Sequence, residues 1–197
     1  MRVDVAFRAA EGPVPLDHGY ALFGALCRIL GDLHGADWLA VHPLRGILLT
    51  GDEMALATKT PALQLRVTPD SIPTVFPLAG RTLDVAGAKV HVGVSSVRVL
   101  RPSPALQSRQ VTIKGYTEEE PFRDRIDVAL ASMNIEGQQA LERRRVVSID
   151  GRVVVGFGLA IRGLSEADSL HLQYVGLGGR RRFGCGVFHP VVQPCDS

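Results

Sequence analysis

Apolar and polar positions along the first half of this chain repeat with two periods, two residues for strands and three to four for helices. Asp17 is a plausible N-cap for the first helix, and Gly35 is predicted to end it. The predicted elements, in order, are strand 2–8, a turn at 11–13, helix 17–35, strands 44–50 and 63–68, a weak Pro-interrupted segment 71–78, hairpin strands 82–85 and 89–92, and strand 94–100.

The second half repeats this order more clearly. Its predicted elements are strand 110–114, a helix starting at 118–121, hairpin strands 143–149 and 152–161, helix 165–175 and strand 183–191. Asp150-Gly151 is a strong hairpin signal, and Gly176 is placed to end the last helix. Both halves therefore follow the β-α-β-β-α-β order of ferredoxin-like folds. We predict an α+β protein of two tandem ferredoxin-like domains, 1–103 and 104–197, joined at the linker 101–104.

Composition describes an ordinary soluble globular protein. The chain has 197 residues, of which 46% are apolar and 21% charged, which excludes a disordered tail, a collagen-like repeat and a disulfide scaffold. No apolar run approaches the roughly 18 residues of a membrane span, and Asp4 lies where a signal peptide would be apolar. We therefore expect a cytoplasmic protein without a membrane partner. Cys27, Cys185 and Cys195 form no C-x-x-C pair and are expected to be reduced thiols.

Charge is informative through its placement, because 22 basic and 20 acidic residues leave a net charge of only +2. The densest basic signal lies in the glycine-rich loop, defined here as residues 175–188. Its predicted RNA-binding residues are Gly176, Gly178, Gly179, Arg180, Arg181, Arg182, Gly184 and Gly186. Glycines let backbone N–H groups approach a ligand, and arginines donate charge-assisted hydrogen bonds to phosphates. The alternative is a flexible helix-to-strand connection with a solvated basic tip.

Two of the six histidines occupy positions suited to catalysis. His18 precedes the first predicted helix and His42 precedes the second predicted strand, at element ends where functional side chains are often presented. An imidazole that titrates near neutrality can take a proton from a ribose hydroxyl. The alternative for both is a histidine hydrogen-bonded to nearby backbone, which the residues alone favour. The remaining histidines are expected to be structural or solvated: His34, His91, His171 and His189.

Lys114 is the third candidate for chemistry. It ends a predicted strand in a chain with few lysines, where a compact ammonium could lie beside a scissile phosphate. A solvated charge at a strand end is an equally good interpretation. The spacing of histidines and carboxylates matches no usual metal motif, so we expect neither a metal nor a cofactor.

Together these features resemble the CRISPR-associated endoribonucleases that process repeat RNA, in the repeat-associated mysterious protein (RAMP) superfamily. The glycine-rich loop carries the most specific part of the resemblance, and residues 17–26 resemble the family's first-helix motif. His42-Pro43 falls where many members have the catalytic histidine. The sequence Thr112-Ile113-Lys114-Gly115 is most similar to the compact variant of Myxococcus-type class 1 systems.

The resemblance implies cleavage of precursor CRISPR RNA within each repeat without metal, leaving a 2′,3′-cyclic phosphate and a 5′-hydroxyl. It implies His42 as the first choice of general base, His18 as the second, and Lys114 as the cation at the phosphate or the acid. Arg45 lies where some members have a lysine, so the phosphate-stabilising residue stays open.

The expected partner is CRISPR repeat RNA, with association to a class 1 interference complex left open. One alternative is a non-catalytic RNA-binding subunit of such a complex. The other is a ferredoxin-like protein without an RNA role.

Overall fold

The computed structural model describes residues 1–10, 12–49, 51–57 and 59–191. Three predictions fall on residues outside this range and stay predictions. They are the turn at Glu11, the strand end at Thr50 and the reduced thiol of Cys195. The described chain divides into two compact units. Unit 1 comprises residues 1–99, 148–152 and 181–184, and unit 2 the remaining described residues. The predicted domains 1–103 and 104–197 differ from these units mainly by the two short segments that belong to unit 1.

Unit 1 is built on an antiparallel five-stranded sheet. The elements of unit 1 are β1 (Val3–Ala10), β2 (Val14–Pro15), α1 (Gly19–Leu30), β3 (Ala40–Val41), β4 (Gly46–Leu48), β5 (Glu53–Leu56), β6 (Leu63–Val67), α2 (Ile72–Val75), β7 (Thr82–Val85) and β8 (Ala88–Val99). The sheet order is β3-β6-β1-β8-β7, and β2-β5-β4 form a separate sheet. Strands β3, β6, β1 and β8 reproduce the second, third, first and fourth strands of a ferredoxin-like sheet. β7 extends that sheet at one edge.

The two faces of the unit 1 sheet differ in polarity. Val3, Val5 and Phe7 of β1 are buried in one hydrophobic core with Leu22 and Leu26 of α1. Side chains alternate along a strand, so the even-numbered residues of β1 project from the opposite face. We call this opposite side the outer face of unit 1, and Asp4 lies on it.

The ends of α1 differ from the prediction. The helix begins at Gly19 and is followed by Gly31 with φ +86°, so the predicted end at Gly35 is wrong. The predicted cap by Asp17 is also wrong, because the Asp17 carboxylate accepts a hydrogen bond from the Ser148 N–H at 2.6 Å. The position before the helix is occupied by His18.

The length of β8 also differs from the prediction for this half. It is one continuous strand, where the sequence predicted a hairpin strand at 89–92 and a separate strand at 94–100. A register shift between Phe7 and Ala9 of β1 lets β8 pair with β1 on both sides of Gly93. The predicted weak helix at 71–78 is a short α2 between two 3-10 turns.

Unit 2 has the same sheet topology with less elaboration. The elements of unit 2 are β9 (Ala105–Val111), α3 (Glu119–Ser132), β10 (Gln138–Ile149), β11 (Arg152–Arg162), α4 (Glu166–Val175) and β12 (His189–Pro190). The order β10-β11-β9-β12 is again second, third, first and fourth. Phe122 and Ile126 of α3 and Leu172 of α4 lie in its core, as their helical spacing predicted. The α+β class and the two tandem ferredoxin-like folds are confirmed.

The strand ends of unit 2 differ from the prediction, whereas the ends of α4 agree with it. β9 ends at Val111, before the predicted strand end at Lys114. The predicted strand 183–191 is reduced to β12, because positive φ angles at Gly184 and Gly186 interrupt extended backbone. Ser165 caps α4 through a hydrogen bond from the Asp168 N–H.

The helices are short. α3, with 14 residues, is the longest helix in the described part of the chain. No helix among the described residues is both long and apolar enough to cross a membrane.

Candidate functional site

His42 lies in a buried polar network on the outer face of unit 1. Its side chain is about 2% exposed, with Nε2 at 3.6 Å from Asp4 Oδ1 and 3.4 Å from Gln64 Nε2. Asp4 also accepts hydrogen bonds from Gln64 Nε2 (2.6 Å), Arg66 Nε (2.8 Å) and Arg66 Nη2 (2.9 Å). Burial alone would raise the pKa of Asp4, but the hydrogen bonds and charges of His42 and Arg66 hold that pKa well below its usual range. His42 therefore belongs to an internal ion-pair network.

His18 is buried as well, with 1% of its surface exposed. Its Nδ1 lies 2.8 Å from the Pro15 carbonyl oxygen, and its Nε2 accepts a hydrogen bond from the Leu44 N–H at 2.9 Å. A neutral imidazole has one donor and one acceptor nitrogen, so these two bonds use both, with Nδ1–H donating to Pro15. The side chain therefore ties the start of α1 to the segment that follows β3.

His34 has the opposite environment. It follows α1 in a turn, and its side chain is 73% exposed. The Asp32 carboxylate accepts hydrogen bonds from the His34 backbone N–H at 2.8 Å and from Nδ1 at 2.7 Å, and these bonds lower the pKa of Asp32. This orientation leaves the Nε2 lone pair to take a proton. The sequence predicted a structural or solvated His34, although an aspartate two residues before a histidine after a helix is a visible signal.

Arg182 lies beside His34. Its Nη1 donates a hydrogen bond to the Leu33 carbonyl at 3.0 Å, and its guanidinium carbon lies 5.8 Å from the centroid of the Phe23 ring. The His34 ring packs edge-on against the same Phe23 ring at 5.3 Å. One aromatic ring thus brings an exposed imidazole and a guanidinium together. We call Phe23, Asp32, His34 and Arg182 the His34 cluster.

Two further aromatic rings adjoin the His34 cluster. Phe183 contacts Phe23 at 5.1 Å and Tyr20 at 5.8 Å between ring centroids. Tyr20 is 43% exposed, and its hydroxyl donates to Asp150 Oδ1 at 3.2 Å, whose charge raises the pKa of Tyr20. A Cβ at Gly19 would lie 2.3 Å from the Phe183 carbonyl oxygen. The start of α1 therefore needs glycine there to let residues 181–184 approach.

Most glycines of the glycine-rich loop serve the fold of the chain itself. Gly176 follows α4 with φ +68°. A Cβ at Gly186 would lie 2.0 Å from the Leu177 carbonyl oxygen, and one at Gly178 would lie 2.4 Å from the Thr112 carbonyl oxygen. Both glycines have positive φ angles. These close backbone contacts hold the loop of unit 2 in one conformation.

The exposed tip of the loop is formed by Gly178, Gly179 and Arg180. Arg180 has φ +63°, a conformation that non-glycine residues rarely adopt. Arg181 is half-buried, and Gly184 is buried against Pro43 within unit 1. The loop thus divides between a tip in unit 2 and a packed segment in unit 1.

Lys114 is exposed in unit 2, in a turn closed by the Ile113–Tyr116 bridge. No ion pair of Lys114 with a carboxylate is present among the described residues. Of the three predicted catalytic residues, His18 and His42 are therefore buried in unit 1, whereas Lys114 is accessible in unit 2. No group of three or more potential metal ligands occurs in the described ranges.

Comparisons with known proteins identify relatives over most of the chain. The family model described as Cas6 Crispr matches residues 3–193. A CRISPR-associated endonuclease Cas6 from Myxococcus xanthus (strain DK1622) is 40% identical over 188 residues, which are 95% of this chain and 81% of that protein.

Solved structures show a similar fold at low sequence identity. A CRISPR-associated protein Cas6 superposes with a TM-score of 0.64 at 12% identity, over 98% of this chain and 99% of the other. A RAMP protein binding different RNA substrates superposes with a TM-score of 0.66 at 12% identity, over 98% of this chain and 100% of the other. The CRISPR endoribonuclease Cse3 bound to a 19-nucleotide RNA superposes with a TM-score of 0.55 at 9% identity, over 95% of this chain and 96% of the other.

Proposed function

This chain belongs to the Cas6 family, and we propose that it is an endoribonuclease that cuts CRISPR repeat precursor RNA into guide RNAs. The observation that carries the proposal is the 40% identity to the Myxococcus xanthus endonuclease across 95% of the chain. The proposal includes CRISPR repeat RNA as substrate and the cytoplasm as location. Association with subunits of an interference complex is a further part of it.

The proposed reaction is a metal-independent transesterification. A general base removes the proton of the ribose 2′-hydroxyl, and this oxygen attacks the adjacent phosphorus. The bond from phosphorus to the 5′-oxygen breaks, and that oxygen takes up a proton, so the products end in a 2′,3′-cyclic phosphate and a 5′-hydroxyl. A positioned imidazole and a cation near the phosphate supply what this chemistry needs.

The general base is the point on which resemblance and geometry differ. The resemblance favours His42 and then His18, both of which are buried with their ring nitrogens in contact with protein groups. We propose His34 as the base, because its imidazole is exposed and oriented by Asp32. Arg182 at the same Phe23 ring is the proposed cation that stabilises charge on the phosphate.

The glycine-rich loop and Lys114 complete the proposal. Gly178, Gly179 and Arg180 form an exposed tip suited to the RNA backbone. Glycines without a Cβ let a ligand approach closely, and the Arg180 guanidinium can donate to phosphate oxygens. The Gly179 N–H is already used, because it donates to the Thr112 carbonyl at 3.0 Å. Lys114, exposed in unit 2, stays a prediction of the family resemblance, as the cation at the phosphate or as the acid.

The test is cleavage of a labelled cognate repeat RNA in excess EDTA, with analysis of the product ends. Wild type is compared with His34→Ala, His42→Ala, His18→Ala and Lys114→Ala. We expect His34→Ala to slow cleavage by about 10²- to 10⁴-fold, the usual contribution of a general base, with unchanged thermal unfolding. Affinity for the same RNA carrying a 2′-deoxy nucleotide at the cut site is expected to stay as in wild type.

Three results would change the proposal. Wild-type rates in His34→Ala, with cleavage lost in folded His42→Ala or His18→Ala, would return the base to a buried histidine. Loss of all cleavage in EDTA with recovery on adding Mg²⁺ would overturn the metal-independent reaction. Tight binding of repeat RNA without cleavage by wild type would identify a non-catalytic RNA-binding subunit.

A further inference from the structure

A row of charges crosses the outer face of unit 1. In the sheet register Asp4 of β1 lies opposite Arg66 of β6 on one side and opposite Arg98 of β8 on the other. Cross-strand partners project from the same face, so the side chains of Arg66, Asp4 and Arg98 project from this face in a row. Arg45, just before β4, lies beside the start of β6, because its backbone N–H donates to the Ala62 carbonyl oxygen at 3.0 Å. The charges of Asp4, Arg98 and Arg66 all act on it.

The single carboxylate of this group is already engaged. Both oxygens of Asp4 accept hydrogen bonds from Arg66, one of them also accepts from Gln64, and all three residues are buried. Arg66 neutralises Asp4, which leaves Arg45 and Arg98 as an excess of two positive charges. Neither residue has a carboxylate within 4 Å among the described residues.

The two arginines are accessible to a ligand. Arg98 is exposed and Arg45 is half-buried. Burial lowers the pKa of Arg45, Asp4 raises it, and the positive charges of Arg98 and Arg66 lower it further. The Asp4 carboxylate is already bound by Arg66, so it does not compensate the repulsion between the Arg45 and Arg98 charges. An anion that contacts both guanidinium groups would stabilise them.

We propose that Arg45 and Arg98 form a phosphate-binding site on the outer face of unit 1 that holds the backbone of the repeat RNA. This inference rests on the proposed function, because that function supplies a polyanionic substrate. Arginine forks match phosphate oxygens with two parallel hydrogen bonds, and a phosphate carries no information about the base attached to its sugar. The contact therefore contributes affinity and positioning without sequence preference.

The experiment measures affinity for the 2′-deoxy repeat RNA by fluorescence anisotropy across a series of KCl concentrations. Arg98→Gln and Arg45→Gln are compared with wild type, with Arg98→Lys, and with Arg28→Gln. Arg28 is an arginine of α1, and its Nη2 donates to the Asp84 carbonyl oxygen. It provides the same charge change on the helical side of the sheet.

We expect each glutamine variant at the site to weaken binding by up to about tenfold at low salt. The slope of log affinity against log salt should become shallower by about 0.7 to 0.9 for each phosphate that the variant no longer neutralises. Arg98→Lys and Arg28→Gln should keep the wild-type slope.

The two proposals fail in different ways. Wild-type affinity and salt slope in both Arg98→Gln and Arg45→Gln, while the wild type binds and cuts, would overturn the phosphate site alone. Equal losses in Arg28→Gln and the two site variants would overturn it too, because general charge would then explain the effect. A wild type that neither binds nor cuts repeat RNA would overturn the proposed function itself.

Discussion

Unit 1 contains two aspartate–histidine pairs with opposite surroundings. Asp4 and His42 lie inside a buried network, with 3.6 Å between carboxylate and imidazole, whereas Asp32 and His34 are exposed at 2.7 Å. In the buried pair the Asp4 carboxylate also binds the Arg66 guanidinium. Removing one partner of a buried ion pair leaves a charge without compensation, which lowers stability strongly. In the exposed pair water screens the charges, so the pair contributes little to stability. The same residue types therefore serve the fold in one place and remain available for chemistry in the other.

The largest expected effect is the loss of the buried carboxylate. Asp4→Ala removes the carboxylate that pairs with the buried Arg66 guanidinium, and we expect the free energy of unfolding to fall by about 3 to 5 kcal/mol. Chemical denaturation measures this change. Asp32→Ala is the matched control, with an expected change within about 0.5 kcal/mol. Equal effects of the two substitutions would remove the distinction between the pairs.

Acid should reproduce part of that loss, because protonation removes the charge of Asp4 but leaves both oxygens in place. The folded-state pKa of Asp4 is lower than the unfolded-state value, so its ionisation stabilises the fold fully above about pH 4. This stabilisation is lost as the pH falls through the folded-state value. Denaturation of wild type and Asp4→Asn between neutral and strongly acidic pH measures it. A parallel decline in both proteins would contradict the assignment to Asp4.

The second buried imidazole should matter less than Asp4, because it carries no ion pair with a buried arginine. His18→Ala leaves the Leu44 N–H and the Pro15 carbonyl without their partner, and we expect a loss of about 1 to 3 kcal/mol. His34→Ala is the exposed control, expected to change stability by no more than about 0.5 kcal/mol. An unchanged unfolding free energy in His18→Ala would show that water replaces these bonds.

The smallest expected effect concerns the orientation of His34 by Asp32. Asp32→Asn keeps the side-chain size but removes the charge that holds the Nδ1 proton, and we expect cleavage to slow about tenfold, with unchanged stability. Rescue separates a positioning role from a structural one, because Asp32→Glu keeps a carboxylate near Nδ1 and should cleave faster than Asp32→Asn at equal stability. Wild-type rates in Asp32→Asn would exclude this role of Asp32.

The elements of the fold were predictable because their signals are local. Ser165 and Gly176 bound α4 as expected, Phe122 and Ile126 mark the buried stripe of α3, and Asp150-Gly151 forms the turn between β10 and β11. The failures occurred where contacts distant in sequence replaced a local signal. Asp17, for example, accepts a hydrogen bond from Ser148 in place of capping α1.

By itself the sequence determined the two β-α-β-β-α-β repeats and the family resemblance, because periodicity, caps and short motifs depend on neighbouring residues. Only the tertiary structure decided that His18 and His42 are buried and that His34 faces solvent. The burial of His42 depends on Asp4 and Gln64, residues 60 positions apart in the chain, and the setting of His34 depends on Arg182, which binds Leu33 across 149 positions. Such pairings follow from how strands and loops come together, and no local pattern encodes them.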